Sequence, residues 1–138
     1  MAKIQVLVAM TLDGSIPAET DPLLKWVKDS RHGFPYWYGK RTRMLHSGCP
    51  FIDLMCDKDT SAPSDIYLAE VCDEESSEFL RGLSLYHLID EMVIFLLPAV
   101  CAGSGSISGH LPEGRWELVR SKTFKNGVCR LLYRKRLQ

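Results

Sequence analysis

The sequence has no net charge, no long apolar run and no paired-cysteine motif, and each absence excludes a class of protein. Its 17 basic and 17 acidic residues cancel, which argues against a chain that coats nucleic acid or an anionic membrane. The longest apolar stretch, Met92–Ala102, is far shorter than the ~20 residues needed to cross a bilayer. We therefore expect neither a nucleic-acid partner nor a membrane partner.

The five cysteines are odd in number and scattered, without a C-x-x-C pair. Such usage is typical of free, mostly buried thiols in a reducing cytoplasm. His46, Cys49 and Cys56 could begin a metal site, but a structural zinc needs four ligands and no second pair follows at suitable spacing. The strand-like N-terminal run reaches Asp13 too soon for the apolar region of a signal peptide. The sequence thus predicts a cytoplasmic protein without a metal.

The charges are segregated along the chain, although their sum is zero. Residues 47–91 carry eleven acids and two bases, whereas residues 24–46 carry six bases and one acid, and residues 92–138 carry eight bases and two acids. We expect the acidic stretch to pair with the basic stretches, either within the fold or across a homodimer. The length of 138 residues predicts one domain over 1–138, since domains average ~100–200 residues.

Six segments have the apolar, β-branched composition of strands. They are Lys3–Met10, Phe51–Cys56, Ile66–Val71, Glu91–Leu97, Trp116–Phe124 and Val128–Arg136. The last two flank Asn126-Gly127, the strongest hairpin signal in the chain. We expect polar loops at 11–22 and 57–65 and a flexible small-residue loop at 102–109.

Two segments between these strands are predicted to be helices. The first runs from Leu23 to about Arg31, with Asp21 or Thr20 as its cap and Pro22 at its first position. The second opens on Asp73-Glu74-Glu75, where acids oppose the positive end of the helix dipole. Early strands that alternate with helices, followed by a hairpin, predict an α/β domain whose sheet is partly parallel and ends antiparallel.

Four segments in the same order resemble a known family. They are VLVAMTLDGSIP at 6–17, Lys25-Trp26-Val27, the Asp-Glu, apolar strand, proline and glycine-rich loop of 88–107, and FKNGVCRLLYRKR near the end. This set resembles the dihydrofolate-reductase-like superfamily, and most closely the reductase domain of the bifunctional riboflavin-biosynthesis deaminase-reductase. The resemblance implies a three-layer α/β fold with a mixed sheet, here shortened, and a homodimer. It also implies NADPH-dependent hydride transfer to a phosphorylated aminopyrimidine.

The resemblance also implies roles for particular residues. Asp13 would orient or protonate the substrate, although Asp13-Gly14 could equally be a simple turn. Trp26 would lie against a ring of the cofactor, with Lys25, Lys28 and Arg31 near the substrate phosphate. The other interpretation is a helix with one aromatic face on the core and its basic residues in solvent.

Two further segments are candidates for binding. Gly103, Ser104, Gly105 and Ser106 would border the nicotinamide, although most such stretches are flexible connections. Basic residues interleave with aromatic ones between Arg31 and Arg43, around Tyr36-Trp37-Tyr38. This pattern could form a site for an anion and a ring, or a solvated basic face, or a subunit interface.

The sequence departs from the family where the cofactor phosphates would bind. No Gly-x-x-Thr turn occurs between Ser47 and Ser64, and the family's Glu-Gly-Gly turn is replaced by Glu70-Val71-Cys72-Asp73-Glu74-Glu75. Paired glycines let backbone amides approach a pyrophosphate, whereas carboxylates repel it. Two functions therefore stay open: an NADPH-dependent reductase, and a non-catalytic ligand-binding or interaction module with a degenerate cofactor cleft.

Overall fold

The computed structural model describes residues 1–101 and 105–136, in which a six-stranded sheet is flanked by helices. The strands are β1 (Lys3–Thr11), β2 (Arg43–Met44), β3 (Ile66–Val71), β4 (Glu91–Leu97), β5 (Trp116–Thr123) and β6 (Cys129–Lys135). The helices are α1 (Pro22–Asp29), α2 (Phe34–Tyr38), α3 (Phe51–Thr60) and α4 (Glu74–Leu85), and a short 3-10 turn covers Ser108–His110. The strand order is β2-β3-β1-β4-β6-β5.

The centre of the sheet is parallel and its last two strands are antiparallel, as predicted. Strand β1 pairs in parallel with β3 and β4, and most of its side chains are buried. Such burial on both faces explains its nearly continuous apolar sequence. Strand β6 runs antiparallel to β4 and β5. The predicted hairpin turn is present: Gly127 has φ +93°, and the Asn126 side chain accepts a hydrogen bond from the Val128 amide at 3.1 Å.

The alternation of side chains along β1 divides the core into two layers. Leu7 and Ala9 face α1 and α2, in a cluster that includes Phe34 and Trp37. Ile4, Val6 and Val8 face α3 and α4, in the other cluster. The three-layer α/β architecture with a mixed, shortened sheet is therefore confirmed.

The segment Phe51–Cys56 is a helix, so the strand predicted there is wrong. Helix α3 runs from Phe51 to Thr60 and replaces the first part of the loop expected at 57–65. Its buried residues are Leu54 and Lys58, one helical turn apart, and Phe51 stacks on Phe79 of α4 with ring centroids 5.6 Å apart. Short apolar runs fit either period, and here packing against α4 selects the helix.

Ion pairs at the amino ends of β1 and β4 link the acidic stretch to basic residues elsewhere in the chain. Glu91 is 6% exposed and accepts hydrogen bonds from Gln5 (2.9 Å), Lys3 (3.1 Å) and Arg134 (3.4 Å). Arg43 pairs with Asp57 at 2.9 Å. Pairing within the fold is thus one of the two arrangements that the charge pattern predicts.

Among the described residues, none of the helices has the length and apolar character that crossing a bilayer requires.

Candidate functional site

A hydrogen-bonded carboxylate marks the carboxyl end of the central strand. The side chain of Asp13 follows β1 and is exposed. The Thr11 hydroxyl donates to one of its oxygens, and the Ser15 hydroxyl donates to the other at 2.8 Å. These two hydrogen bonds hold the pKa of Asp13 below its ordinary value of 3.8, because they favour the charged form. Asp13 is therefore a fixed anion at neutral pH.

The Asp13 loop is fastened to the segment that follows β4. The Gly14 carbonyl accepts hydrogen bonds from the amides of Ile107 (2.8 Å) and Ser108 (3.0 Å), and the Ile16 amide donates to the Gly105 carbonyl at 2.9 Å. Ser15 and Ser106 form an antiparallel bridge. The structure thus brings Gly105 and Ser106, two of the predicted cofactor residues, next to the Asp13 loop; Gly103 and Ser104 lie outside the described residues.

A cleft of about 440 Å³ lies between this segment and α4. The His110 ring sits in it with Nδ1 2.8 Å from the Ser77 hydroxyl. Two carboxylates of α4, Glu74 and Glu78, also line it. The other lining residues are Ile16, Ser77, Gly105 and Ser106. We call this space the α4 cleft.

The amino end of α4 is capped by its own side chains. The Asp73 carboxylate accepts a hydrogen bond from the Ser76 amide at 2.8 Å. The Ser76 hydroxyl in turn accepts from the amides of Cys72 (3.0 Å) and Asp73 (3.1 Å). This capping box satisfies donors that a helix otherwise offers to a bound anion. The Ser76 hydrogen bonds lower the pKa of Asp73, so the cap is anionic at neutral pH.

A second cleft, of about 420 Å³, lies between the end of β2 and the same helix end. Three carboxylates line it, those of Glu70, Asp73 and Glu75. Glu70 accepts a hydrogen bond from the Tyr38 hydroxyl, and burial together with Glu70 raises the pKa of that hydroxyl. The remaining lining residues include His46 and Ser47 but no lysine or arginine among those that the structure describes. We call this space the β2 cleft.

The residues around α4 do not fit the pyrophosphate of NADPH. The side chains of Asp73 and Ser76 accept from the amides of Cys72, Asp73 and Ser76. Five carboxylates line the two clefts, and among the described lining residues no lysine or arginine offsets them. A polyanion placed there would meet like charges at short range. The acidic turn seen in the sequence is therefore an acidic surface in three dimensions.

The other predicted site residues lie on α1 or directly after it. Trp26 packs edge-to-face against Phe124, with ring centroids 5.0 Å apart. Lys25, Lys28 and Arg31 are exposed. Burial raises the pKa of the Cys72 thiol to about 11, and the positive charge of nearby Lys28 partly opposes this rise. Trp26 thus contacts the β5–β6 hairpin, and the roles in cofactor and substrate binding remain predictions.

Three hydroxyl residues of the site were not found by the sequence analysis. Thr11 and Ser15 hold Asp13, and Ser76 closes α4. Their positions in the sequence could have indicated these roles. Thr11 and Ser15 lie two residues before and after Asp13, and Ser76 lies three residues after the capping Asp73. Both spacings are those at which a side chain reaches the backbone or a neighbouring side chain in a turn.

Known structures share this fold at low sequence identity. A protein from Shewanella sp. PV-4 named for riboflavin biosynthesis superposes with a TM-score of 0.65 at 18% identity, covering 97% of this chain and 99% of that one. RibD from Acinetobacter baumannii gives a TM-score of 0.56 at 14% identity, covering 97% of this chain and 58% of that one. No family model matches the sequence, and no curated protein matches it.

The chain therefore has the fold of these riboflavin-biosynthesis proteins, and the resemblance in the sequence is confirmed at the level of fold. It spans 58% of the length of the Acinetobacter protein. Identities of 18% and 14% establish the architecture, whereas function has to be argued from the site itself.

Proposed function

We propose that this protein binds a small heterocyclic ligand at the carboxyl end of its sheet, as a non-catalytic member of the reductase fold with a degenerate cofactor cleft. The observation that carries the proposal is the acidic, self-capped amino end of α4, where the Asp73 and Ser76 side chains occupy the amides of Cys72, Asp73 and Ser76. The carboxylates of both clefts add repulsion to the loss of donors.

Asp13 is the proposed ligand-binding group. An ionised carboxylate has about four acceptor sites, and the hydroxyls of Thr11 and Ser15 occupy two of them. Backbone hydrogen bonds of Cys101 and of Asp13 itself also favour the charged carboxylate. Its solvent-exposed side is available to a ligand with neighbouring N–H or O–H donors, such as the amino groups of an aminopyrimidine. Because the carboxylate is already oriented, little ordering entropy is lost on binding.

A second candidate is the NADPH-dependent reductase of the riboflavin-biosynthesis type, with hydride transfer to a small phosphorylated heterocycle. The shared fold favours it, together with the contact between the Asp13 loop and Gly105–Ser106. In that function Asp13, which is anionic at neutral pH, orients the substrate, and Lys25, Lys28 and Arg31 approach its phosphate. A homodimer is the assembly that the resemblance implies for either function.

Calorimetric titration of the whole chain with NADPH separates the two candidates. We expect millimolar NADPH to raise the Tm no more than ribose 5-phosphate does at the same concentration, whereas occupancy of a cofactor cleft at a hundredfold excess over Kd would stabilise the fold by about 2.7 kcal/mol. A clear shift, with NADPH oxidation in the presence of an aminopyrimidine substrate, would establish the reductase instead.

The ligand site is tested with 5,6-diaminouracil as the probe and uracil as its matched control. We expect the diamine to bind more tightly than uracil, and Asp13→Asn to remove that preference because it removes the negative charge. Glu113→Asn, at an exposed position outside the Asp13 loop, serves as the control variant. Equal affinity of wild type and Asp13→Asn for the diamine would exclude Asp13 as the binding group.

A further inference from the structure

A cluster of cations and aromatic rings lies where α2 packs on the β5–β6 hairpin. Its members, here called the indole cluster, are Tyr36, Trp37, Lys40, Arg120 and Arg130. The Lys40 ammonium lies 5.3 Å from the centre of the Trp37 ring, and the Arg130 guanidinium carbon lies 5.8 Å from it. Lys40 also donates a hydrogen bond to the Tyr36 hydroxyl at 3.2 Å. Two positive charges thus converge on one indole.

Two buried donors in this cluster have no acceptor among residues 1–101 and 105–136. Trp37 is 3% exposed, and its indole N–H makes no hydrogen bond within the described part of the chain. The Nε–H of Arg130 is also buried and unpaired there. Buried polar groups without partners are uncommon in native proteins and call for an explanation. These two N–H groups add positive partial charge to the indole cluster, which already holds several cationic side chains.

No carboxylate in the described part of the chain neutralises the positive charges of the indole cluster. None of Lys40, Arg120 and Arg130 forms an ion pair with a described residue. The pKa of Arg130 is lowered by desolvation and by the charge of Arg120. The pKa of the Tyr36 hydroxyl is lowered by the nearby cations, Lys40 above all. An anion bound among these cations would offset their mutual electrostatic repulsion and so be bound favourably.

We propose that the indole cluster is an anion-binding site for a phosphate group, formed by Lys40, Arg120 and Arg130 around Trp37. Arginine offers a planar fork of donors that matches phosphate oxygens, and lysine adds a point charge. Tyr36 presents a ring and a hydroxyl at the exposed side of the cluster. The ligand is therefore a phosphate or a small phosphate ester.

This site is distinct from the proposed ligand site at Asp13. None of the hydrogen bonds of Asp13, Gly14, Gly105 or Ser106 involves a member of the indole cluster among the described residues. The two sites also differ in charge, since the first is a carboxylate and the second is cationic. Failure of one proposal therefore leaves the other intact.

The test is a titration of the whole chain with inorganic phosphate and with ribose 5-phosphate, followed through tryptophan indole N–H signals by NMR. Trp37→Phe identifies the Trp37 signal. We expect that signal to shift on saturation, and Arg130→Gln and Arg120→Gln each to weaken binding by about tenfold, as the loss of a charged hydrogen bond predicts. A tighter fit of ribose 5-phosphate than of phosphate would identify an ester as the ligand.

Lys125→Gln is the matched control, because it removes the same charge from the turn of the same hairpin, where Lys125 is exposed. It should leave phosphate affinity unchanged, and Arg130→Gln should leave 5,6-diaminouracil binding unchanged. Absence of saturable phosphate binding at millimolar concentration in wild type would overturn the proposal. So would an equal loss in Lys125→Gln, or salt-sensitive binding of an oligonucleotide with no binding of phosphate, which would indicate a nucleic-acid surface.

Discussion

Gly14 and Ser108 touch across the two loops that flank the candidate site. The Ser108 amide donates to the Gly14 carbonyl at 3.0 Å, and a Cβ placed on Gly14 would lie 2.4 Å from the Cβ of Ser108. Gly14 also has φ +75°, in the left-handed region that favours glycine. Two independent requirements therefore meet at this residue, one for backbone conformation and one for space.

The first prediction concerns that contact. Gly14→Ala should lower the free energy of unfolding by about 1–3 kcal/mol, because the alanine is both strained and in collision. Gly39→Ala is the control: Gly39 has φ −65°, and a Cβ added to it would meet no atom of another described residue within 4 Å. Alanine at that position should therefore be neutral or stabilising by about 0.4–1 kcal/mol. Thermal denaturation measures both. Equal Tm values for Gly14→Ala and wild type would contradict the tight contact.

The second prediction concerns the ionisation of Asp13. Its carboxyl should titrate with a pKa below 3.8 in an NMR titration, since the hydroxyls of Thr11 and Ser15 hydrogen-bond the charged form. Ser15→Ala should move the pKa back towards 3.8. Because the pKa of Asp13 is lower in the folded state than in the unfolded state, its ionisation stabilises the fold at pH values above the unfolded-state pKa. That stabilisation is lost as the pH falls through the folded-state pKa. A titration unaffected by Ser15→Ala would mean that the serine does not hold the carboxylate.

The third prediction concerns the buried Glu91 at the opposite end of the sheet. Glu91→Ala should destabilise the fold by about 1–3 kcal/mol, because Gln5 is left buried without its acceptor and Lys3 and Arg134 lose their common partner. The exposed pair of Glu78 and Arg81, 3.7 Å apart, provides the comparison: Glu78→Ala should change stability by less than about 0.5 kcal/mol. Denaturant unfolding distinguishes them, and similar losses would show that Glu91 is no more important than a surface charge.

The fourth prediction concerns thiol reactivity. Cys72 is buried and its pKa is raised to about 11, whereas Cys56 is exposed. Because the thiolate is the reactive form, iodoacetamide at neutral pH should modify Cys56 first and Cys72 only after unfolding. Peptide mass spectrometry at timed intervals gives the order. Early modification of Cys72 would mean that the β3 end opens in the native state.

The sequence predicted an element correctly where its residue pattern fits only one kind of secondary structure. Strand β1 is apolar on both faces, and the hairpin has its turn signal at Asn126-Gly127, so both were predictable. Helix α3 was not, because Phe51, Ile52, Leu54 and Met55 fit a strand until Phe51 is seen to stack on α4. Packing against α4 selects the helix, and the spacing of residues in the sequence does not reveal that packing.

The candidate site was predictable in part for a similar reason. Asp13 was found because it follows a buried strand and precedes a glycine, both local features. Its contact with the 105–108 segment depends on the pairing of β1 with β4, which brings together residues far apart in the sequence. Local chemistry is readable from the chain, whereas the meeting of distant loops is a property of the sheet order.

The two edges of the sheet bear on how copies of this chain could associate. One edge is β2, which has only two residues. The other is β5, which is interrupted between Leu118 and Arg120 by an irregular register and carries Glu117 and Lys122. Short, bulged and charged edges are poor templates for a further strand. Continuous growth of the sheet from molecule to molecule is therefore disfavoured, so that helices and loops are left as the surfaces through which a homodimer would form.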